Sequence, residues 1–391
     1  MALTEETRDE SDRSLPVRGR AGLTIRSIET IPIRVPLARE YRGSRYSMTH
    51  RSTLVTRIHT DEGVTGEAYA GDEDAGLAEI ERIVRHELEP ALLGEDAFAT
   101  ERLWQLARPA TYDILRDRRL GLVACACVDT ALWDAVGKAL GQPLWRLWGG
   151  YRNRLAMISI GGYYGPGADI EAEVHDLRER GLAGMKFKVG GLSPSEDADR
   201  FRVARRAAGD DFILAADANQ GWSPQEAIRF ARLVEDCDLR WFEEPCRWHN
   251  DRRAMRDVRH GAGVAVCAGQ SEFSAGGCRD LMVEGAIDVC NFDASWSGGP
   301  TEWRRVAGMA LSFDVAMGHH EEPQVASHLL ASIPHGTYVE CFHPDRDPVW
   351  WNLVANRPAL CDGQLELSDA PGLGWELDED YIERHRLPSA A

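Results

Sequence analysis

The chain has 391 residues, of which 43% are hydrophobic and 28% charged, and its formal net charge is −18. This length exceeds what one hydrophobic core organises, since single cores stop growing near ~250–300 residues. The acidic excess argues against a nucleic-acid partner, whose site would carry a basic surface, and an anionic substrate would have to be captured by local cations.

The N-terminal residues, MALTEETRDESDRSLPVRGR, are polar and mixed in charge, and they lack the apolar segment of a signal peptide. We predict a disordered tail over residues 1–22. No apolar run approaches the ~20 residues of a membrane span, so we expect no membrane partner. Nine cysteines without a close pair at metal-ligand spacing indicate reduced thiols in a cytoplasmic protein.

The segment after the tail predicts a separate α+β domain over residues 23–150. Residues 24–36 and 53–69 alternate apolar and polar positions, as half-buried antiparallel strands do, and Asp61-Glu62-Gly63 is typical of a turn. Three helical patterns follow, at residues 76–93, 97–107 and 122–140. Strands followed by helices indicate a domain that precedes the next fold unit.

A chemically capable side chain ends one apolar stretch after another in the second half of the chain. The series is Lys188, Asp217, Glu243, Gln270, Asp293, His320 and Glu340, at separations of 29, 26, 27, 23, 27 and 20 residues. One βα unit of a (β/α)₈ barrel needs about 30 residues, and catalytic groups in that fold lie at the C-terminal ends of the strands.

We therefore predict an α/β fold with a (β/α)₈-type barrel over residues 151–351. Its first strand is expected at residues 155–160, and its eighth strand is expected to end near Cys341. Residues 352–391 are expected to return to the N-terminal domain and complete it as a cap on the barrel.

Two lysines in the motif MKFKV are the first candidates for catalysis. Lys186 and Lys188 lie two residues apart, so both would face the barrel interior. An exposed pair on an edge strand is the alternative, but a barrel has no edges. Two adjacent ammonium groups would lower the pKa of one, and a neutral lysine can act as a general base.

Asp217 and Glu243 end neighbouring predicted strands. Two carboxylates held together need a cation or a proton between them, and an all-oxygen site suits Mg²⁺, with Mn²⁺ as a second candidate. Ordinary salt bridges to the two lysines are the alternative interpretation. Gln270 or Glu272, in the motif CAGQSE, could complete the metal site.

Asp293 and His320 end the sixth and seventh predicted strands, which are neighbours in a parallel barrel. A carboxylate on the imidazole would fix its tautomer and raise its basicity, as a general acid or base requires. His319 stands beside His320, so the two could have exchanged roles. Glu340 could donate a proton to a substrate carboxylate if burial raises its pKa.

With these motifs in this order, the chain resembles the enolase superfamily, and within it the mandelate racemase subgroup, from about residue 24 to the C-terminus. The stretch VDTALWDAVGKALGQPLWRLWGG at residues 128–150 and the K-x-K motif also carry the resemblance. The resemblance implies a barrel with a capping domain and assigns the site residues as follows: Lys188 as base with Lys186 as its companion, Asp217 and Glu243 as Mg²⁺ ligands, Asp293 and His320 as the dyad, and Glu340 as the electrophilic acid.

The third metal ligand is where the chain departs from this subgroup, since most members have glutamate there and this chain has Gln270. Glucarate dehydratases also use an amide at that position, which implies that metal binding is retained, with Glu272 as the substitute.

The resemblance implies dehydration of a sugar acid, an aldonate or aldarate, to a 2-keto-3-deoxy sugar acid, and we expect a homo-oligomer. A racemase or epimerase with the same two bases, and a catalytically silent sugar-acid-binding protein, are the alternatives. The basic segment 39–51 is the candidate for specificity, or else a solvated loop. The candidate substrate-binding residues are Arg42, Arg45, Tyr46, His50, Arg51, Tyr164, Asn219, Trp222, Trp296 and His343.

Overall fold

The structure, a computed structural model, describes residues 22–71, 76–166 and 168–390. The tail expected at residues 1–22 lies, apart from its last residue, outside the described residues, and its disorder stays a prediction.

The N-terminal strands form one antiparallel sheet in the order β1-β2-β3, which confirms the alternating pattern. The strands are β1 (Ile25–Arg42), β2 (Ser47–Thr60) and β3 (Thr65–Ala70). The expected turn joins β2 to β3, where the Gly63 N–H donates to the Thr60 carbonyl. Strand β1 runs beyond the predicted residue 36, because pairing with β2 resumes at Tyr41 after an irregularity.

Helices cover this sheet. They are α1 (Leu77–Ile83), continued through a π-helical turn (Val84–Leu88) into α2 (Glu89–Leu92), then α3 (Thr100–Ala107), α4 (Arg118–Leu140) and the short α5 (Leu144–Leu147). Helix α4 begins four residues before the predicted start because the Asp117 side chain caps it, and it ends at Gly141 in the left-handed region.

Helix α4 is long and apolar enough to cross a membrane by length and composition, so the expectation that no apolar run approaches that length is wrong. However, 89% of its apolar stretch is buried inside the fold, where it packs against β2, β3 and the helix at Pro300–Leu311. The apolar surface of α4 is therefore that of a core helix.

Eight parallel strands form the second unit. They are β4 (Arg154–Gly161), β5 (Gly184–Lys188), β6 (Ile213–Asp217), β7 (Leu239–Glu243), β8 (Val266–Ala268), β9 (Val289–Cys290), β10 (Ala316–Met317) and β11 (Val339–Phe342). Each strand from β4 to β9 pairs with the next, and β11 returns to pair with β4. Met317 hydrogen-bonds at 2.8 Å to His335 and Thr337, on the approach to β11. The (β/α)₈-type barrel is confirmed.

Helices alternate with these strands: α6 (Ile170–Glu179), α7 (Pro194–Ala208), α8 (Pro224–Leu233), α9 (Asp251–Ala262), α10 (Ala275–Val283), α11 (Pro300–Leu311) and α12 (Pro323–Ser332). The best-defined starts are those of α7 and α8, where Ser193 and Ser223 form capping boxes with a glutamate three residues on. These caps fix where each strand-to-helix loop ends.

The C-terminal segment contains α13 (Pro348–Leu353), β12 (Gln364–Glu366) and α14 (Glu379–His385). Strand β12 pairs antiparallel with β4, so the segment first lies against the barrel. The Leu387 N–H then donates to the Pro32 carbonyl of β1 at 2.8 Å. The segment thus contacts both units, while boundaries at residues 150 and 352 stay predictions.

Candidate active site

Three charged side chains lie at the same level on adjacent strands. Lys188 pairs in register with Asp217, and Asp217 with Glu243, at the C-terminal ends of β5, β6 and β7. Each is almost wholly buried. Parallel strands in register bring these residues together, as the spacing predicted.

Each lysine is bound by carboxylates. Lys188 Nζ lies 2.7 Å from Asp217 Oδ2, while Lys186 Nζ lies 2.6 Å from Glu243 Oε1 and 2.8 Å from Glu340 Oε2. The salt bridges considered as the alternative interpretation are therefore present. They place Lys186, Lys188, Asp217, Glu243 and Glu340 in one buried cluster.

This pairing overturns the expectation that one lysine has a lowered pKa. Burial alone would lower the pKa of Lys188, but the Asp217 carboxylate raises it well above the usual value. For Lys186, Glu243 and then Glu340 outweigh burial, and the repulsion from Lys188 is the smallest of these effects. Both lysines are charged in this arrangement.

Burial and the neighbouring lysines together give the Glu243 and Asp217 carboxyls different pKa values. Burial raises the pKa of Glu243 to about 8, against the opposing effect of Lys186. The pKa of Asp217 is lowered because its two lysine neighbours outweigh burial. Two carboxylates with unlike proton affinities share one buried site.

The candidates for third metal ligand differ in what holds them. Gln270 is buried, its Oε1 accepts from Asn291 Nδ2 at 3.2 Å, and its Nε2 lies 3.4 Å from Glu244 Oε2. Glu272 is bound through both carboxylate oxygens by Arg252 Nη2, at 2.8 and 2.9 Å. Both carboxylate oxygens of Glu272 are therefore already paired with the Arg252 side chain.

The oxygen atoms here fit Mg²⁺, which prefers carboxylate and amide oxygens. Asn219 donates through its N–H and Nδ2 to the two oxygens of Asp217, at 2.8 and 3.1 Å. Its buried Oδ1 has no hydrogen-bond partner among the described residues, so an oxygen beside Asp217 is available to a cation. Within residues 22–71, 76–166 and 168–390, no three His, Cys, Asp or Glu side chains converge as metal ligands.

The hydrogen bonds show which of the two adjacent histidines, His319 or His320, pairs with Asp293. His320 Nδ1 lies 2.9 Å from Asp293 Oδ2, as the predicted dyad requires. His319 Nε2 accepts from the Ala294 N–H at 3.0 Å, and its Nδ1 donates to the His320 carbonyl at 2.8 Å. Both ring nitrogens of His319 are thus bound by backbone, while His320 presents its Nε2 away from the dyad.

Glu321 is a site residue that the sequence did not reveal. Its Oε1 lies 3.1 Å from His320 Nε2. Burial would lower the pKa of His320, but Glu321 and then Asp293 raise it well above its usual value. The only signal was its place beside His320, and alternation along a strand would have pointed it away.

Glu244 is a second such residue, which was expected to face away or cap a loop. Its φ of +35° turns the buried carboxylate toward Gln220 Nε2, at 3.0 Å, and Gln270. Burial raises the pKa of Glu244. A left-handed backbone immediately after a strand breaks the alternation on which the expectation depended.

Two of the predicted substrate-binding residues lie against catalytic candidates. The Tyr46 ring centroid is 5.7 Å from Lys188 Nζ, so the N-terminal domain reaches over the barrel mouth. Trp296 packs on His320 with ring centroids 4.7 Å apart. Arg45 is exposed on the same segment as Tyr46, and its charge acts on Glu226 at the start of α8.

Other predicted contacts are not brought to the site. The Tyr164 hydroxyl is bound to Asp197, at 2.9 and 3.0 Å to its two oxygens. His343 Nε2 lies 2.9 Å from Asp176. Arg51 is buried in ion pairs with barrel residues, so it does not face a substrate as expected.

Tyr163, adjacent to Tyr164, was not predicted as a site residue. It is buried, its hydroxyl has no partner within the described residues, and it interacts electrostatically with Tyr46 and Lys188. Neighbouring residues point in opposite directions, so only one of the two tyrosines can face the lysine; the sequence did not show which.

Comparisons with known proteins match both units of the fold. A family model for the "Mandelate racemase / muconate lactonizing enzyme, N-terminal domain" matches residues 26–149. A second model, "Enolase C-terminal domain-like", matches residues 169–381. The first match ends before the barrel strands, and the second covers all of them except β4 and continues into the C-terminal segment.

Among solved structures, a mandelate racemase/muconate lactonizing enzyme from a marine actinobacterium in complex with magnesium is 63% identical, with a TM-score of 0.90, covering 94% of this chain and 100% of that one. The L-talarate/galactarate dehydratase of Salmonella typhimurium, liganded with Mg and L-lyxarohydroxamate, is 25% identical, with a TM-score of 0.85 and 99% and 97% coverage. The 3,6-anhydro-alpha-L-galactonate cycloisomerase of Streptomyces coelicolor is 32% identical over 92% of this chain and 99% of its own.

Proposed function

Because the chain belongs to the mandelate racemase/muconate lactonizing enzyme family of the enolase superfamily, we propose that it is a Mg²⁺-dependent dehydratase of a sugar acid, an aldonate or aldarate. The observation that carries this proposal is the pair of proton-transfer groups, Lys188 and the His320–Asp293 dyad, around the Asp217 and Glu243 carboxylates. The dehydratase and magnesium complexes among its relatives support it.

Asp217, Glu243 and the Gln270 amide would hold the metal, with Asn219 as a further oxygen donor. When bound, Mg²⁺ supplies positive charge that polarises a substrate carboxylate and stabilises the enediolate formed by loss of its α-proton. Mn²⁺ suits the same oxygen atoms.

Lys188 would accept the α-proton at Nζ as the neutral amine, after separation from Asp217 has removed the interaction that keeps it charged and its own proton has left to solvent. Lys186, between Glu243 and Glu340, stays charged and binds the substrate carboxylate, and Glu340 is the electrophilic acid beside it. His320 donates a proton from Nε2 to the departing β-hydroxyl once its contact with Glu321 Oε1 opens, while Asp293 holds the Nδ1–H tautomer. Water and a 2-keto-3-deoxy acid are the products.

A cycloisomerase is the second candidate, favoured by the 32% identity to a relative of that name. The same removal of an α-proton and expulsion of a β-oxygen opens a ring when that oxygen belongs to the ring, and no water is lost. A racemase or epimerase would use both bases without expelling oxygen. If none of these reactions occurs, the protein is a catalytically silent sugar-acid-binding protein, an alternative with which the neutral Gln270 is compatible.

Lys188→Ala and His320→Asn distinguish the two proton-transfer roles. With an acid sugar that is turned over, Lys188→Ala should abolish α-proton exchange with solvent and turnover. His320→Asn should lower turnover by about 100-fold or more and retain exchange. Lys138→Ala and His335→Asn are controls outside the site. Unchanged exchange in Lys188→Ala would remove Lys188 from the mechanism, and loss of both activities in folded His320→Asn would make His320 the initiating base.

We also propose a cytoplasmic homo-oligomer. All nine cysteines are free thiols, and eight of them are buried, which suits a reducing compartment. Ile114 and Leu115 are 87% and 92% exposed, an apolar surface that association between copies would cover.

A further inference from the structure

Arg51 connects the capping domain to the barrel through buried ion pairs. It lies on β2 and is 1% exposed. Its Nη2 is 2.6 Å from Glu322 Oε1, and its Nε is 3.2 Å from Asp347 Oδ1. Its Nη1 donates to the carbonyls of Ser52 and Gly71, both at 3.1 Å. The guanidinium therefore spans the interface with two carboxyl partners, Glu322 and Asp347, on the barrel side.

Glu322 ends the turn that carries the catalytic histidine. Glu321 and Glu322 follow His320 directly, with φ of +54° and +43°. Two consecutive residues with a Cβ in the left-handed region are strained, so the surrounding contacts must impose this turn. Helix α12 begins here, since the Ala326 N–H donates to the Glu322 carbonyl at 3.0 Å.

Two groups hold this turn from opposite sides. Within the barrel, the Glu321 N–H lies 3.3 Å from Glu340 Oε2. From the capping domain, Arg51 holds the Glu322 carboxylate. Between these contacts, Glu321 Oε1 lies 3.1 Å from His320 Nε2, so rotation of the turn would move both the histidine and its carboxylate neighbour.

We infer that Arg51 is a positioning residue for His320: its bond to Glu322 keeps the strained turn in the conformation that presents His320 Nε2 to the substrate. The inference rests on the proposed role of His320 as a proton donor. It makes docking of the capping domain a condition for the second half of the reaction, whereas Lys188 lies on β5 and is bound by Asp217, outside this turn.

Arg51→Met tests the inference, with Arg57→Met as its matched control. Arg57 lies on the same strand and binds Glu29, Glu67 and Glu379, none of which is near His320 in the chain. Arg51→Met should lower turnover by about 100-fold, the contribution of a general acid. Lys188-dependent α-proton exchange should stay within about twofold of wild type, as should both activities of Arg57→Met.

Glu322→Gln and Glu322→Ala keep the test decisive if Arg51→Met does not fold. Glutamine retains an oxygen acceptor for Arg51, so turnover should be restored to within about threefold of wild type. Alanine removes the acceptor and should reproduce the selective loss of turnover. Equal losses of turnover and exchange in folded variants would overturn the inference, as would full turnover in Glu322→Ala.

Hydrogen–deuterium exchange separates this inference from the proposed function. Amides in residues 318–327 should exchange faster in Arg51→Met than in wild type and Arg57→Met, whether or not any acid sugar is turned over. Absence of keto acid from wild type with this faster exchange would reject the dehydratase and keep the role of Arg51. Unchanged amide exchange would reject the role of Arg51 alone.

Discussion

Gln270 is the residue at which the metal site differs most from the subgroup it resembles. Two carboxylates and a neutral amide carry one negative charge less than three carboxylates, and the affinity of oxygen sites for hard cations follows ligand charge. Glu272 cannot replace that charge while Arg252 binds both of its oxygens. We therefore expect the proposed site to bind a metal ion more weakly than a site with three carboxylates.

Gln270→Glu should tighten Mg²⁺ binding by about tenfold, because it restores a third carboxylate. Glu272→Gln should leave the dissociation constant unchanged. Isothermal titration calorimetry of both variants with Mg²⁺ alone checks this without any substrate. Weaker binding by Glu272→Gln, with no change in Gln270→Glu, would move the third ligand to Glu272.

The buried hydroxyl of Tyr163 has no hydrogen-bond partner among the described residues, so its removal breaks no hydrogen bond within the protein. Tyr163→Phe should therefore leave the free energy of unfolding within about 0.5 kcal/mol of wild type. We expect the unpartnered hydroxyl to bind the acid sugar, so the KM should rise by about tenfold when this hydrogen bond is removed. Chemical denaturation and steady-state kinetics measure the two effects.

Tyr381→Phe is the matched control, because it removes a tyrosine hydroxyl that does have a partner within the protein. The Tyr381 hydroxyl donates to the Pro348 carbonyl at 3.0 Å, away from the site. This variant should lose about 1 kcal/mol of unfolding free energy and keep its KM. Both variants losing stability with unchanged KM would give Tyr163 a structural role only.

Helix α4 contacts both units of the fold, and one of its side chains caps the N-terminus of helix α11. Helix α11 begins at Gly299, which has no side chain to cap it. Asp129 of α4 takes that role, accepting from the Thr301 N–H and hydroxyl, both at 2.8 Å. Burial raises the pKa of Asp129 from the usual 3.8 to about 7, against the opposing effect of these hydrogen bonds.

Asp129→Asn should relieve a pH-dependent cost of this cap. The folded state keeps the carboxyl protonated up to about pH 7, whereas the unfolded chain ionises near 3.8. Wild-type stability is thus fully present below that lower value and falls as the pH rises through 7. The variant should gain on the order of 2–4 kcal/mol relative to wild type between pH 4 and pH 8, measured by urea denaturation. A difference that does not vary with pH would contradict this account.

The order of the elements could be read from the sequence because each βα unit repeats its spacing and each strand ends in a charged or amide residue. Strand β12 could not, since its pairing with β4 depends on a contact about 200 residues away in sequence. The orientation of side chains just beyond the strand ends could not be predicted for another reason. Glu244 and Glu321 have positive φ, so the alternation that correctly placed Lys186 and Lys188 no longer applied.

At the scale of the whole molecule, the site is shared between two units. Tyr46 comes from the capping domain to lie over Lys188, and Arg51 from the same domain binds Glu322 of the barrel. Two residues five positions apart in sequence thus lie at different places, Tyr46 at the barrel mouth and Arg51 in the interface between the units. The sequence grouped both as substrate contacts, because burial at an interface cannot be seen in one segment alone.

Metal binding should stabilise the assembled molecule. Mg²⁺ at 100 times its dissociation constant should add about 2.7 kcal/mol, since only the folded chain brings Asp217 and Glu243 together. Differential scanning calorimetry with Mg²⁺ and with a chelator measures the change in Tm. Equal Tm values at a saturating concentration would contradict metal binding at this site.

The most direct test is incubation of the wild-type enzyme with Mg²⁺ and a library of aldonates and aldarates in D₂O. The dehydratase account predicts a 2-keto-3-deoxy acid with one solvent deuterium at C3, because the enol product takes up a deuteron there. Deuterium at C2 of recovered sugar acid without keto acid would make the protein a racemase or epimerase. No keto acid and no deuterium from any acid sugar that binds would contradict the proposed catalysis.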